Sequence, residues 1–109
     1  MSTVQTAIAA WQWPLDVLDF AARHQVDAFL DPLLAATRRV YPTAQTLRVS
    51  LERDPEIRDD WHVLFEVVVP QSDLPNYVAA QHAWGEELFR LCPAPLVCIF
   101  RLALIPVPS

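Results

Sequence analysis

The stretch TLRVSLERDPEIRDDWHVLFEVVVP, residues 46–70, decides the fold because two alternating segments flank a polar loop. Each segment alternates apolar and polar residues with a period of two, which is typical of a half-buried β-strand. The loop between them carries Pro55 and several acidic residues, as a connection between two strands does. The sequence therefore predicts a β-hairpin whose second strand ends at Pro70.

The two predicted strands each present one apolar face and one mixed face. The apolar face consists of Leu47, Val49, Leu51, Trp61, Val63, Phe65, Val67 and Val69. The mixed face consists of Arg48, Ser50, Glu52, His62, Leu64, Glu66 and Val68. A continuous apolar face must be covered, whereas charged side chains need water or a partner. We therefore expect helices on the apolar face only.

Two helices are predicted before the hairpin. The first begins at Leu15, and its expected buried face consists of Leu15, Leu18 and Ala22. The second lies in DPLLAATRRVYP, where Asp31 suits the N-cap and Pro32 suits the first helical position. Pro42 ends this second helix. The residues before the first helix, 1–13, are predicted to form an irregular arm.

A third and longer helix follows the hairpin in SDLPNYVAAQHAWGEELFRLCP. Its predicted buried stripe, at three- and four-residue spacing, consists of Tyr77, Ala80, Trp84, Leu88 and Leu91. Gly85, the only glycine, lies beside the stripe. A glycine inside a helix costs up to about 1 kcal/mol relative to alanine, so close packing against the sheet would explain it.

A third strand is predicted over residues 96–105, and residues 106–109 are predicted to form a C-terminal tail. This strand would be antiparallel to the first if it lay beside it, and parallel to the second if it lay there instead. We favour the first placement. The expected fold of residues 1–109 is a single α+β domain: a two-layer sandwich with a three-stranded, mostly antiparallel sheet and helices on one face.

Charge, apolar runs and cysteine content argue against several classes of function. The net charge is −5 and the chain contains no lysine, which argues against binding to nucleic acid. No signal peptide and no apolar run long enough for a membrane span are found, so we expect a cytoplasmic protein. Cys92 and Cys98 do not form a metal-binding pair and are predicted to be buried thiols. We expect no cofactor and no metal.

Two histidine–glutamate pairs could carry chemistry. His62 and Glu66 lie four apart on a strand, where their Cα atoms would be ~13 Å apart, too far for a hydrogen bond. His82 and Glu86 lie four apart on a helix, where side chains meet, but a metal site needs a further ligand. We interpret the second pair, together with Arg90, as an ion-paired helix surface. The acidic loop lacks the glycine of a calcium-binding loop.

The mixed face of the sheet is the predicted interface. Its candidate residues are Arg48, His62, Leu64, Glu66, Val68, Val97, Ile99 and Arg101. Apolar residues among charged ones are unexplained on a bare surface but are typical of a surface that meets another chain. Trp11 and Trp13 of the arm could cap their own core or reach a neighbouring subunit.

The segments VSLERDPEIRDDWHVLFEVVV and YVAAQHAWGEELFRLCPAPLVCIFRL carry a resemblance over roughly residues 40–105. The chain resembles small uncharacterised bacterial proteins with the layout α-α-β-β-α-β. Such proteins are often encoded beside another short gene, sometimes in toxin–antitoxin-like pairs. The resemblance implies a bacterial protein with a protein partner, and it implies no catalytic residues.

These observations favour a non-enzymatic protein–protein interaction module that forms a homodimer or binds another small protein through its mixed sheet face. One alternative is a small enzyme or ligand-binding protein that uses His62, Glu66 and Arg101, or His82 and Glu86. Another is an antitoxin-like inhibitor of a small basic partner, which the acidic charge would suit.

Overall fold

The computed structural model describes residues 11–108, apart from the side chains of Leu74 and Cys98. In chain order the elements are α1 (Leu15–Arg23), a short 3-10 helix (Asp27–Phe29), α2 (Leu30–Val40), β1 (Thr46–Arg53), β2 (Trp61–Pro70), a second 3-10 helix (Gln71–Asp73), α3 (Leu74–Leu91), a third 3-10 helix (Ala94–Ile99) and β3 (Phe100–Val107). The predicted α+β class is confirmed. Residues 1–10 of the predicted arm lie outside the described residues, as does the side chain of Cys98.

The three strands form one mixed sheet in the order β1-β2-β3. β1 and β2 are antiparallel, with Ser50 opposite Leu64, so the hairpin prediction is confirmed. β3 lies beside β2 and is parallel to it, with Arg101 opposite Leu64. The favoured placement of the third strand beside the first is therefore wrong. The 18 residues of α3 return the chain along the sheet, so β3 starts at the same end as β2.

β3 begins four residues later than predicted. Pro93 and Pro95 restrict the backbone before it, and the amide of Leu96 bonds the carbonyl of Pro93 at 2.9 Å in a tight turn. Val97 and Ile99 therefore lie in the third 3-10 helix, partly buried against the core, and not on the mixed face of the sheet. At its other end β3 includes residues 106 and 107 of the predicted tail.

The helices all pack on one face of the sheet. The buried core combines Val49, Val63, Phe65, Val67, Val69 and Phe100 of the strands with Val17, Phe20, Ala21, Leu30, Leu33, Leu34, Tyr77, Trp84 and Leu88 of the helices. The strand residues in this core belong to the face that the alternation marks as apolar. Burying one Val or Phe side chain stabilises a fold by about 1.5–3 kcal/mol, so this layer dominates stability.

α1 uses a different face from the predicted one. Val17, Phe20 and Ala21 are buried, whereas Leu15 is 83% exposed. Val17, Phe20 and Ala21 also recur at three- and four-residue spacing, so α1 carries two apolar stripes. Contact with β1 selects between them, and the expected stripe of Leu15, Leu18 and Ala22 faces outward.

α2 and α3 are joined by a buried polar link. The indole Nε1 of Trp84 donates to Thr37 Oγ1 at 2.8 Å, and that hydroxyl donates to the carbonyl of Leu33 at 2.7 Å. The predicted buried stripe of α3 is confirmed, because Tyr77, Ala80, Trp84, Leu88 and Leu91 all join the core. The explanation for Gly85 is wrong, since a Cβ added there would meet nothing within 4 Å.

The described part of the arm packs against its own domain. The Trp13 ring lies edge-on to Phe65 at 6.3 Å, and its Nε1 donates to Asp31 at 2.8 Å. Trp11 lies edge-on to Trp13, and the guanidinium of Arg38 lies 5.5 Å from the Trp11 ring. Asp31 thus anchors the arm. The predicted N-cap role of Asp31 is wrong, because α2 begins at Leu30, two residues earlier than predicted, and has no side-chain cap.

Candidate functional site

The candidate site is the side of the sheet that faces away from the helices, here called the open face. Residues opposite each other in register point to the same side of a sheet, so the pairings define its members. They are Arg48, Ser50 and Glu52 of β1, His62, Leu64, Glu66 and Val68 of β2, and Arg101, Ala103, Ile105 and Val107 of β3. Six of the eight predicted interface residues are among them. Val97 and Ile99 are not, because they precede β3.

The apolar part of the open face lies on β2 and β3. Val68 is directly opposite Ile105, and Ala103 occupies the position between Ile105 and Arg101. Leu64, Val68 and Ala103 are half-buried, and Ile105 is 37% exposed. The alternation with Leu102 and Leu104 assigns Ala103 and Ile105 to this face, but neither was among the predicted interface residues.

An ion pair crosses the open face from β1 to β2. Arg48 and Glu66 are directly opposite in register, and Arg48 Nη2 lies 3.3 Å from Glu66 Oε2. The Arg48 side chain is 69% exposed, so solvent screens the pair. Such a cross-strand pair contributes a few tenths to about 1 kcal/mol. Its main effect is that the Glu66 carboxylate is already bound by Arg48 and is not available to pair with His62.

The third strand is tied to the hairpin loop by its arginine. Arg101 Nη2 lies 2.8 Å from Asp60 Oδ2, and Arg101 Nη1 lies 3.7 Å from Asp54 Oδ2. Asp54 also accepts hydrogen bonds from the backbone amides of Glu56 at 2.8 Å and Ile57 at 3.2 Å. These amides, and then the Arg101 guanidinium, lower the pKa of Asp54 below its usual value. The acidic loop is thus a closed turn held by an arginine.

His62 is buried beside this arginine. The side chain is 7% exposed, and its Nδ1 has no hydrogen-bond partner within the part of the chain that the structure describes. Burial lowers the pKa of His62, and the positive charge of Arg101 lowers it further. The carboxylates of Asp60, Glu52 and Asp54 oppose these effects without reversing them. His62 is therefore held in its neutral form near pH 7.

The open face does not bring together His62, Glu66 and Arg101, the residues of the alternative enzyme or ligand-binding function. Glu66 is engaged by Arg48, and Arg101 is engaged by the two loop aspartates, so neither orients His62. Across residues 11–108, no three His, Cys, Asp or Glu side chains come together in a way that could hold a metal ion. What the arrangement offers is apolar area on β2 and β3, with Glu66 between Leu64 and Val68 on the central strand and paired with Arg48.

The second histidine–glutamate pair lies on the outer surface of α3, where His82 and Glu86 are both exposed. Arg90 does not extend this pair as predicted, because it pairs with Glu87. Arg39 of α2 also reaches Glu87, with its Nη2 2.9 Å from Oε1. The hydrogen bonds from Arg90 and Arg39 lower the pKa of Glu87. Glu87 therefore acts as the ionic link between α2 and α3.

A cavity beside α2 contains none of the predicted interface residues. It measures about 200 Å³ and opens between the end of α2 and the edge of the sheet, where Tyr41, Arg38, Gln45, Leu47 and Val67 are among its lining residues. The Tyr41 hydroxyl is buried and has no hydrogen-bond partner among the described residues. Burial raises the pKa of Tyr41 to about 12, and the neighbouring Tyr77 contributes. No sequence motif marks this tyrosine, which precedes Pro42 at the end of a helix.

Comparisons with protein-family models, curated proteins and solved structures give no match for the chain. The resemblance to small bacterial proteins therefore stays a prediction, and the geometry of the open face is the basis for a functional proposal. Within residues 11–108, no helix combines the length and the apolar character that a membrane span requires.

Proposed function

We propose that this chain is a non-enzymatic protein–protein interaction module that self-associates through the open face. The observation that carries the proposal is the pairing of Val68 with Ile105, next to Ala103 and Leu64, on the face that no described helix covers. Contact with a second copy would remove these side chains from water at about 25 cal/mol per Å² of apolar area. We include in the proposal a bacterial, cytoplasmic setting.

The distribution of charge supports an interface more than an active site. Protein interfaces combine an apolar centre with a polar rim, and a charge that is removed from water there is normally paired. On the open face the apolar residues lie on β2 and β3, while Arg48 and Glu66 form one pair and Arg101 and Asp60 form another. Charges already held within one chain lose less freedom when a partner approaches, which lowers the entropic penalty of association.

The area of the face sets an expectation for affinity. Three strands ~4.8 Å apart and ~27 Å long present a footprint of roughly 400 Å². Stable interfaces bury ~800 Å² per partner, about twice as much. Association through the open face of one sheet alone is therefore expected to be weak and reversible, and its extent should depend on protein concentration.

Native mass measurement across a concentration series tests the proposal. Ile105→Glu and Leu64→Glu place a charge in the apolar area, so both should lower the particle mass at concentrations where the unaltered chain associates. Phe89→Glu is the matched control, because Phe89 is 65% exposed on α3, on the other layer. It should leave the mass unchanged.

An unchanged particle mass for Ile105→Glu, with an unchanged melting temperature, would contradict the proposal. The antitoxin-like alternative makes a different prediction: the isolated chain stays monomeric and instead binds a small basic protein encoded beside it. Mass measurement with and without that neighbour separates the two functions.

A further inference from the structure

The outer edge of β1 pairs with no described strand. In the part of the chain that the structure describes, β1 is an outermost strand of the sheet and β2 is its only strand neighbour. Trp11 and Gln12 of the arm, together with Pro14, flank it across a groove of about 280 Å³. Within residues 11–108, no backbone hydrogen bond joins the arm to β1. An unpaired strand edge is a template for a strand from another chain.

The other edge of the sheet carries a proline. β3 contains Pro106, opposite Val69, and proline has no amide hydrogen to donate. A proline in an edge strand is one of the devices that prevent strand addition. β1 over Thr46–Arg53 contains neither proline nor lysine. Of the two edges, β1 is therefore the one suited to accept a strand.

The charges of β1 are complementary to those of β1 itself. Arg48 and Glu52 lie two residues before and after Ser50, and both are exposed on the open face. In an antiparallel pair with Ser50 opposite Ser50 of a second copy, each Arg48 lies opposite a Glu52. Opposite charges at directly opposed positions stabilise a strand pair, whereas like charges weaken it. A shift that places Arg48 opposite Arg48 is disfavoured, so the charges select one register.

The same register suits the other face. It places Val49 opposite Leu51 of the second copy, and both side chains belong to the apolar side of β1. Glu52 is also free to take part, because its only described hydrogen bond is from the Ser50 hydroxyl at 3.1 Å on the same exposed surface. Arg48 can contact Glu66 of its own chain and Glu52 of the second copy together.

We infer that a second copy of this chain adds its β1 to β1, antiparallel and centred on Ser50, to form a continuous six-stranded sheet. This edge pairing uses backbone groups and a different surface from the open-face contact, so it stands without the proposed function. It also doubles the footprint of the open face to roughly 800 Å² per sheet, the size that stable interfaces need. If both contacts form, two six-stranded sheets stack face to face as a tetramer.

A charge-swap experiment tests the inference. Arg48→Glu leaves a glutamate at both positions 48 and 52, and Glu52→Arg leaves an arginine at both, so either variant alone opposes like charges at the edge. Each should raise the dissociation constant about 10-fold or more in sedimentation velocity. Mixing the two variants restores both opposite-charge pairs, so native mass spectrometry should detect mainly heterodimers. Arg58→Glu, in the exposed hairpin loop, is the control and should associate like the unaltered chain.

The outcomes separate the two contacts. Both contacts are supported if the unaltered protein has a particle mass four times the 12.4 kDa chain mass and the Ile105→Glu variant has a particle mass of twice the chain mass. A dimer that resists Ile105→Glu but dissociates with Glu52→Arg supports the edge alone. A chain that stays monomeric at every concentration, or a mixture with no preference for heterodimers, overturns the edge pairing. Melting temperatures confirm that each variant is folded.

Discussion

Arg101 and Asp60 are 41 residues apart in the chain, and the Arg101 guanidinium lies 2.8 Å from the Asp60 carboxylate. This contact ties the last strand to the loop that connects the first two. Since β3 makes no contact with β1 in the sheet, the ion pair is a second connection between the hairpin and β3 beside the β2–β3 ladder. It also lies beside the buried side chain of His62.

Arg101→Met should lower the free energy of unfolding by about 0.5–1 kcal/mol, because methionine keeps the aliphatic contact and loses both aspartates. The estimate is small because the Arg101 side chain is 39% exposed. Chemical denaturation measures the change. Arg58→Met, at an exposed position in the hairpin loop that carries Asp60, should have almost no effect. Equal losses for the two variants would show that the ion pair does not stabilise the loop.

The free energy of unfolding should fall as the pH is lowered through 6.5. The folded pKa of His62 lies below its ordinary value of 6.5, so between these two values the unfolded chain binds more protons than the folded chain. Stability contributed by neutral His62 is present above pH 6.5 and is lost toward the folded pKa, with a slope of at most about 1.4 kcal/mol per pH unit.

Denaturation of His62→Gln and His82→Gln at several pH values between 7 and 5 provides the comparison. His62→Gln should flatten the dependence, whereas the exposed His82→Gln should retain it. Asp54 and Glu87 do not confuse the measurement, because their pKa values lie below 3.8 and 4.5 and their contributions are lost only at lower pH. A retained slope in His62→Gln would assign the pH dependence to another group.

Local pattern determined the parts of the fold that sequence could predict. The hairpin and the buried stripe of α3 follow from periods of two and 3.6, and each needs only the residues of its own element. The face of α1 could not be chosen, because Leu15 and Val17 both begin apolar stripes and only the contact with β1 separates them. The placement of β3 likewise depends on where the chain emerges from the end of α3, which is a property of the whole fold.

The open face was predictable in outline and not in detail. Alternation placed Arg48, Leu64 and Arg101 on it correctly. Val97 and Ile99 were wrongly assigned to it because residues 96–99 are all apolar and continue the strand pattern. Pro93 and Pro95 instead bend that segment into a 3-10 helix. The pairing of Arg101 with the hairpin loop joins distant segments, and no local pattern carries that information.

Thr37→Val should lower the free energy of unfolding by about 1–2 kcal/mol, because it leaves the buried Trp84 indole N–H without an acceptor. Trp84→Phe removes the donor together with part of the ring. In the double variant the unsatisfied N–H is absent, so its loss of unfolding free energy should be smaller than the sum of the two single losses. Urea denaturation of the unaltered protein, the two single variants and the double variant gives the coupling free energy. Additive losses would mean that the hydrogen bond contributes nothing to stability.

Gly85→Ala should raise the free energy of unfolding by about 0.5–1 kcal/mol, because alanine restricts the unfolded chain and favours the helix. The added Cβ would have no atom within 4 Å, so the substitution causes no steric clash. Ala79→Gly, an exposed position in the same helix, should lower stability by a similar amount and serves as the reverse control. Thermal denaturation at low protein concentration, where association is minimal, measures both. If Gly85→Ala destabilises the protein, a neighbouring chain or an alternative conformation must approach the helix at this point.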